Sequence, residues 1–202
     1  DAVGVSGAER SPRAAVVTVG DELLLGKTVD TNAAWLGREL GELGIPVVRR
    51  HTVGDVPGEI EVAVADALTV ADLVVVTGGL GPTPDDLTRD AVANCLQRFT
   101  VQLLLAVDCG STATETITWL KTQGVDVIVL DHHQVAQPAP PAAAMVNPQL
   151  GSLAIQALCS VGLAFKLAHA LVKRGRQLGI PEAEDFDLRP LLDYAALGTI
   201  AD

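Results

Sequence analysis

The chain has 202 residues, of which 49% are hydrophobic and 19% are charged, so it can bury a sizeable core and is not intrinsically disordered. The net charge of −11, from 14 basic and 25 acidic residues, opposes nucleic-acid binding over the whole surface. No apolar run is long enough to span a membrane, and the three cysteines lack metal-ligand spacing. We expect a cytoplasmic protein with reduced thiols and no membrane partner, while its oligomeric state stays open.

Apolar strands and amphipathic helices alternate along the first hundred residues. Residues 1–13 have no periodicity and are interpreted as a loose leader. Residues 14–20 are strongly apolar, which is typical of a strand that is buried on both faces. The elements predicted after it are a helix over 31–43, a strand over 46–53, a helix over 57–70, a strand over 72–79 and a helix over 87–97.

The same alternation continues beyond residue 100, with strands predicted over 101–110 and 125–133 and a helix over 114–124 between them. The proline-rich stretch 136–144 is predicted to be an extended linker, because proline and the residue before it disfavour a helix. Three helices are predicted near the end of the chain, over 152–160, 162–178 and 188–196.

Five strand–helix alternations predict βαβ units and one mainly parallel sheet. The expected fold class is α/β, a Rossmann-like three-layer sandwich whose five strands have the order 2-1-3-4-5. We expect this α/β domain to cover residues 14–135 and a helical appendage to cover residues 145–202. The helix over 87–97 would be the buried crossover that joins both halves of the sheet.

Residues that could bind a ligand or take part in catalysis follow four of the five predicted strands. Open parallel sheets bind their ligands at these carboxyl ends of the strands. The residues are Gly20-Asp21-Glu22, Gly78-Gly79, Asp108 and Asp131-His132-His133. A purely structural role is the alternative for some of them. Asp21 could be a helix N-cap, and the two glycines could be there to allow a tight turn. The carboxylates and imidazoles that follow the last two strands suit Mn²⁺ or another divalent ion that activates water. Asp21 and Glu22 are candidates for additional carboxylates.

Five ordered motifs occupy the second half of the chain: Val107-Asp108-Cys109-Gly110-Ser111, Val127–His133, Val146-Asn147-Pro148, Val161–Lys166 and Ala196–Asp202. On these motifs, residues 101–202 resemble the DHH phosphoesterases, and among them the RecJ-type exonucleases that act on single strands. The resemblance implies that Mn²⁺ or Mg²⁺ is bound by Asp108, Asp131, His132, His133 and Asp202. It also implies that the activated water cleaves a phosphodiester, with Asp108, His132 and His133 as the catalytic residues.

Three motifs in the first half point to a different family: Val19–Gly26, Asp30–Ala33 and Thr77–Thr88. On these motifs, residues 14–98 resemble the CinA family, whose N-terminal domain shares its fold with the molybdopterin-binding proteins MoaB and MogA. The resemblance implies a loop that holds a phosphate-bearing nucleotide or pterin through backbone N–H groups. The residues of that loop are Gly78, Gly79, Gly81 and Thr83.

Both resemblances depart from their families. The Asp-x-Asp-Ala-Asp metal motif of RecJ-type proteins is missing, and the CinA-like sequence ends before its domain would be complete. We interpret the chain as a recombined or engineered hybrid rather than a natural fusion, with a junction around residues 97–101. The lost carboxylates would leave one weakly bound ion and weak or no turnover. Asp202 is expected to contribute less than in the family, since it ends the chain.

Three functions of different classes follow from these observations. The first is an incomplete divalent-metal phosphoesterase that acts on single-stranded DNA or a nucleotide, although the net charge of −11 weakens a nucleic-acid partner. The second is a nucleotide- or pterin-binding module that uses the glycine-rich loop. The third is a folded hybrid without physiological activity. Binding that is insensitive to a chelator would favour the second function over the first.

Overall fold

The computed structural model describes residues 11–79, 87–151 and 158–201. The chain divides into two compact units, with the boundary between Thr100 and Val101. Each unit is built on its own three-stranded parallel sheet, with the orders β2-β1-β3 and β4-β5-β6. None of the helices in these described ranges is long and apolar enough to cross a lipid bilayer.

The first unit is organised around a fully buried central strand. Its strands are β1 (Ala14–Val19), β2 (Val47–Val53) and β3 (Leu73–Thr77). Its helices are α1 (Asp21–Leu24), α2 (Thr31–Glu42), α3 (Pro57–Val70) and α4 (Thr88–Leu96). All of these except the short α1 lie within or close to the elements predicted from the sequence pattern.

Opposite faces of β1 serve different purposes, because successive side chains of a strand point to opposite sides. Ala15, Val17 and Val19 pack into one apolar cluster with Ile60 of α3 and Cys95 of α4. On the other face, Thr18 contacts Asp30 at the start of α2. The first unit therefore has helices on both sides of its sheet, and β1 and β3 end beside the loop that precedes α2.

The second unit begins with strand, helix and strand and ends in helices. Its strands are β4 (Leu103–Val107), β5 (Asp126–Leu130) and β6 (Ala144–Val146). Its helices are α5 (Thr114–Thr122), α6 (Ser160–Gln177), α7 (Pro181–Glu184) and α8 (Leu192–Ala201). Residues 148–150 and 189–191 form short 3₁₀ turns. Most of the helix predicted over 152–160 lies outside the described residues.

The expected single five-stranded sheet with the order 2-1-3-4-5 is wrong. β3 pairs with β1, and β4 pairs with β5, so the described strands form two sheets of three. Two physical reasons explain the difference. The proposed crossover α4 packs into the first apolar cluster through Ala91 and Cys95, and the unpredicted β6 supplies the second neighbour of β5.

A place for β4 inside one five-stranded sheet would require burial of both of its faces. Only one of its faces is well covered, since Leu103, Leu105 and Val107 are 53%, 46% and 40% exposed. Leu104 and Ala106 point to the opposite face, where the neighbouring strand residues Val127 and Val129 are buried. One face of β4 therefore lacks the burial that a strand inside a larger sheet would have.

The helices of the second unit pack closely where small residues allow it. A Cβ atom added to Gly198 of α8 would lie 2.8 Å from the Cβ of Val161 in α6. A Cβ atom added to Gly175 of α6 would lie 2.6 Å from the Cβ of Ala183 in α7. Both distances are too short for a carbon–carbon contact, so these glycines allow the helical part of the unit to form around α6.

Candidate functional site

A cleft of about 210 Å³ opens at the carboxyl ends of β1 and β3 in the first unit. This is the edge at which open parallel sheets bind their ligands. Its polar walls come from the ends of the two strands, from α1 and from the start of α2. They include Thr18, Glu22, Asp30, Asn32, Thr77 and Gly78.

Asp30 organises the wall of the cleft that leads into α2. Its Oδ1 accepts the backbone N–H of Ala33 at 2.9 Å, which caps the helix. Its Oδ2 accepts the hydroxyl of Thr18 at 2.9 Å and the guanidinium of Arg50 at 2.8 Å. Burial opposes ionisation of this carboxyl, but the hydrogen bonds from Ala33, Arg50 and Thr18 and the charge of Arg50 outweigh it, so the pKa of Asp30 is lowered.

The glycines after β3 are required by close backbone contacts. Gly78 has a φ of +94°, and a Cβ atom there would lie 1.9 Å from the carbonyl oxygen of Val19. Gly79 has a φ of +59° and approaches the hydroxyl of Thr88, which donates to the carbonyl of Gly78 at 3.0 Å. The remaining predicted loop residues Gly81 and Thr83 lie outside the described residues.

The two acidic residues after β1 have separate surroundings. The backbone N–H of Asp21 donates to the carboxylate of Asp55 at 3.1 Å, and the N–H of Asp55 donates to that of Asp21 at 3.3 Å. This reciprocal pair connects the start of α1 to the loop that follows β2. Glu22 lines the cleft instead.

A second cluster lies at the carboxyl ends of β4 and β5. One ligand atom each from Asp108, His132 and His133 lies within 4.8 Å of the other two, which makes these residues a candidate metal centre. His132 Nε2 is 3.4 Å from Asp108 Oδ1, and the two imidazole centroids are 4.4 Å apart. Asp108 has a φ of +65°, a backbone conformation that is rare for a residue with a side chain.

Asp131 is adjacent to this cluster but is used differently. The residue is 1% exposed, and its Oδ1 contacts the Nδ1 of His133 at 2.7 Å. Oδ1 also accepts the backbone N–H of His132 at 2.8 Å, and Oδ2 accepts that of Ser111 at 3.0 Å. Burial opposes ionisation, but hydrogen bonds from Ser111 and His133 outweigh it and lower the pKa of Asp131. An ionised Asp131 accepts a proton-bearing Nδ1, so Nε2 of His133 is the nitrogen that could bind a metal.

Three polar residues that we did not assign from the sequence support the cluster. Asn147 donates to Ser111 Oγ at 2.8 Å and to the carbonyl of His133 at 2.9 Å. Gln149 donates to the carbonyl of His132 at 3.3 Å. Ser111 and Asn147 belong to motifs recognised above, so their position in those motifs was the signal that could have identified them.

The donor set fits a divalent ion, although the geometry is open. Carboxylate and imidazole together suit Mn²⁺. Ligands that are about 2.1 Å from one ion lie at most about 4.2 Å from each other. The observed spread of up to 4.8 Å would therefore have to contract slightly on binding. Asp202, the remaining predicted ligand, lies outside the described residues.

A family model described as "Probable molybdopterin binding domain" matches residues 15–148, which is more than half of the chain. The chain belongs to this family of molybdopterin-binding domains. The matched part of the molybdopterin-binding domain includes the cleft of the first unit and the Asp108, His132 and His133 cluster of the second.

Curated relatives of this molybdopterin-binding domain carry the name CinA-like protein. The relative from Desulfovibrio desulfuricans is 52% identical over 84 residues, which are 42% of this chain and 20% of the relative. The relative from Gemmatimonas aurantiaca is 44% identical over 123 residues, which are 61% of this chain and 28% of the relative. The chain thus spans between a fifth and a third of the length of these relatives.

Among solved structures, RecJ in complex with Mn²⁺ from Thermus thermophilus is also similar to this molybdopterin-binding domain. The identity is 26% and the TM-score 0.46, and the match covers 95% of this chain and 22% of that chain. The family model and the CinA-like relatives support the CinA resemblance stated from the sequence. The hybrid origin of the chain remains a hypothesis.

Proposed function

We propose that the first unit binds a phosphorylated pterin or a nucleotide in the cleft at the ends of β1 and β3. The cleft itself carries this proposal. The glycine turn after β3 brings backbone atoms close to the carboxyl ends of the strands. The walls of the cleft, from β1 and the start of α2, are partly apolar and partly polar. Backbone N–H groups in such a turn suit a phosphate, and the family match to molybdopterin-binding domains supports a pterin.

The size of the cleft limits the ligand. Its volume of about 210 Å³ is below the roughly 300 Å³ at which pockets for drug-sized molecules begin. A pterin ring or a single base with one phosphate suits this space better than a dinucleotide. The carboxylates of Asp30 and Glu22 both line the cleft and would repel a phosphate, so we expect the phosphate to lie against the backbone of Gly78.

Calorimetric titration with a pterin monophosphate and with AMP, both in the presence of EDTA, tests this proposal. We expect millimolar to submillimolar binding that Asn32→Ala weakens at least about fivefold, roughly 1 kcal/mol, since Asn32 lines the cleft. Asn94→Ala is the matched control, because Asn94 donates to Glu61 on the surface between α3 and α4. Absence of binding by the unaltered chain at millimolar concentrations of both probes would contradict the proposal.

We propose a second function for the second unit, the binding of one divalent ion by Asp108, His132 and His133. The convergence of these three side chains favours it. A bound ion would supply Lewis-acid activation of water, as phosphodiester hydrolysis requires. The chain's own contribution is to orient His133 through Asp131 and to join two neighbouring strand ends in one site. Three side-chain ligands imply a weak site and slow turnover at best.

Titration with Mn²⁺ tests the metal site independently of activity. We expect a dissociation constant in the range of about 0.1 to 1 mM, and His132→Ala is expected to weaken binding by more than about tenfold. His169→Ala is the matched control, because His169 is exposed on α6 and is outside the cluster. If the two variants bind Mn²⁺ equally, the cluster is not the site. Hydrolysis of a generic phosphodiester in Mn²⁺, measured in parallel, separates binding from turnover.

A further inference from the structure

Ser160 connects the start of a long helix to the candidate metal centre. Its hydroxyl donates to Oδ1 of Asp108 at 2.6 Å, although the two residues are 52 positions apart in the chain. Ser160 is only 7% exposed and is the first residue of the 18-residue helix α6. The side chain of Asp108, in contrast, is 63% exposed. A buried hydroxyl therefore holds an exposed carboxylate.

We propose that Ser160 is a positioning residue that holds the carboxylate of Asp108 in the orientation required for binding a divalent ion. This inference rests on the metal site proposed for the second unit. Oδ1 of Asp108 accepts the hydroxyl of Ser160 at 2.6 Å and lies 3.4 Å from Nε2 of His132, so this hydrogen bond holds the carboxylate beside another ligand of the proposed site.

Two physical effects lead us to expect that this contact strengthens metal binding. An exposed aspartate side chain samples several rotamers, and fixing it when a metal binds costs conformational entropy. The hydrogen bond from Ser160 fixes the rotamer before the ion binds. Residues that hydrogen-bond to a metal ligand usually orient the ligand in this way. The N-terminus of α6 also favours a negative charge nearby, since the helix dipole is positive at that end. The hydroxyl keeps its proton throughout, so Ser160 takes no part in bond making.

The test compares Mn²⁺ affinity in variants of the full chain, measured by calorimetry and by the electron paramagnetic resonance signal of free Mn²⁺. We expect Ser160→Ala to weaken Mn²⁺ binding about tenfold, within the range found for lost outer partners. Ser160→Thr keeps the hydroxyl and is expected to bind within about twofold of the unaltered chain. Thr122→Ala is the control, since it removes a hydroxyl whose 2.6 Å hydrogen bond to the carbonyl of Trp119 lies in α5.

Thermal unfolding of each variant without metal is recorded in parallel to separate positioning from stability. Weaker Mn²⁺ binding by Ser160→Ala at an unchanged melting temperature, with recovery in Ser160→Thr, supports the proposal. Equal Mn²⁺ affinity of Ser160→Ala and the unaltered chain overturns it while the metal site stands. If the unaltered chain binds no Mn²⁺, the metal site and the role of Ser160 are both overturned. Loss of affinity in Ser160→Thr as large as in Ser160→Ala also contradicts the proposal, because the hydroxyl would then not be the cause.

Discussion

Replacing Asp131 with alanine is expected to destabilise the second unit by about 3–5 kcal/mol. The buried carboxylate accepts the backbone N–H groups of Ser111 and His132 and contacts Nδ1 of His133. Asp131 is 1% exposed, so alanine would leave the two backbone donors unpaired in a buried position, and each orphaned buried group costs about 1–3 kcal/mol. The loss is therefore large compared with the total stability of a domain of this size.

Two tryptophans allow this effect to be assigned to one unit. Trp35 lies in α2 of the first unit and Trp119 in α5 of the second, and the chain has no others. In urea titrations, Asp131→Ala should shift the transition reported by Trp119 in a Trp35→Phe background. It should leave the Trp35 transition of a Trp119→Phe background in place.

Asp126→Ala is the control for this substitution. Asp126 is exposed at the start of β5, so its removal should change stability by no more than about 0.5 kcal/mol. If Asp131→Ala costs as little as Asp126→Ala, the hydrogen-bond network described for Asp131 does not stabilise the unit. If both tryptophans report one shared transition that moves as a whole, the two units unfold together, as a single sheet would have required.

Most elements of the fold could be predicted because their signals are local. The apolar pattern of residues 14–20 predicted β1, and the start at Pro57 with an end near Val70 predicted α3. β6 could not be predicted, since three residues after a proline-rich stretch are too few to show periodicity. α7 is equally short.

The pairing of strands was beyond the reach of the sequence pattern. An apolar strand indicates burial but not which neighbour provides it, and the residues of β4 would suit an edge or a centre. The helix α4 has a length that allows a crossover. Its side chains Ala91 and Cys95 nevertheless pack with Ile60 of the first unit. Which strands pair, and which elements a helix packs against, depends on the apolar faces of all the elements together.

The candidate sites were predictable where they follow strands directly. Asp108 and His132 follow β4 and β5, and the parallel register places the ends of these strands side by side. Ser160 gave no such signal, because it contacts Asp108 only through the path of the chain that brings α6 to this edge. The orientation of Asp131 toward Ser111 depends likewise on side-chain geometry, which spacing alone does not define.

Gly78→Ala is expected to destabilise the first unit by at least about 3 kcal/mol. The new Cβ atom would lie 1.9 Å from the carbonyl oxygen of Val19, and backbone atoms cannot move aside as a flexible side chain can. The φ of +94° adds strain for any residue with a side chain. Relief of the clash would separate the ends of β1 and β3, so the ligand binding proposed for the cleft should also be lost. The urea transition of Trp35 measures the first effect, and calorimetry with a pterin monophosphate measures the second.

Gly44→Ala separates the steric clash from the backbone conformation. Gly44 has a φ of +75°, but an added Cβ atom there meets nothing within 4 Å. Its replacement should therefore cost only the strain of the left-handed conformation, about 1–2 kcal/mol, and leave ligand binding intact. A clearly larger loss for Gly78→Ala would locate the difference in the contact with Val19. Equal losses would mean that the ends of β1 and β3 can separate freely, and the cleft would then not be a preformed site.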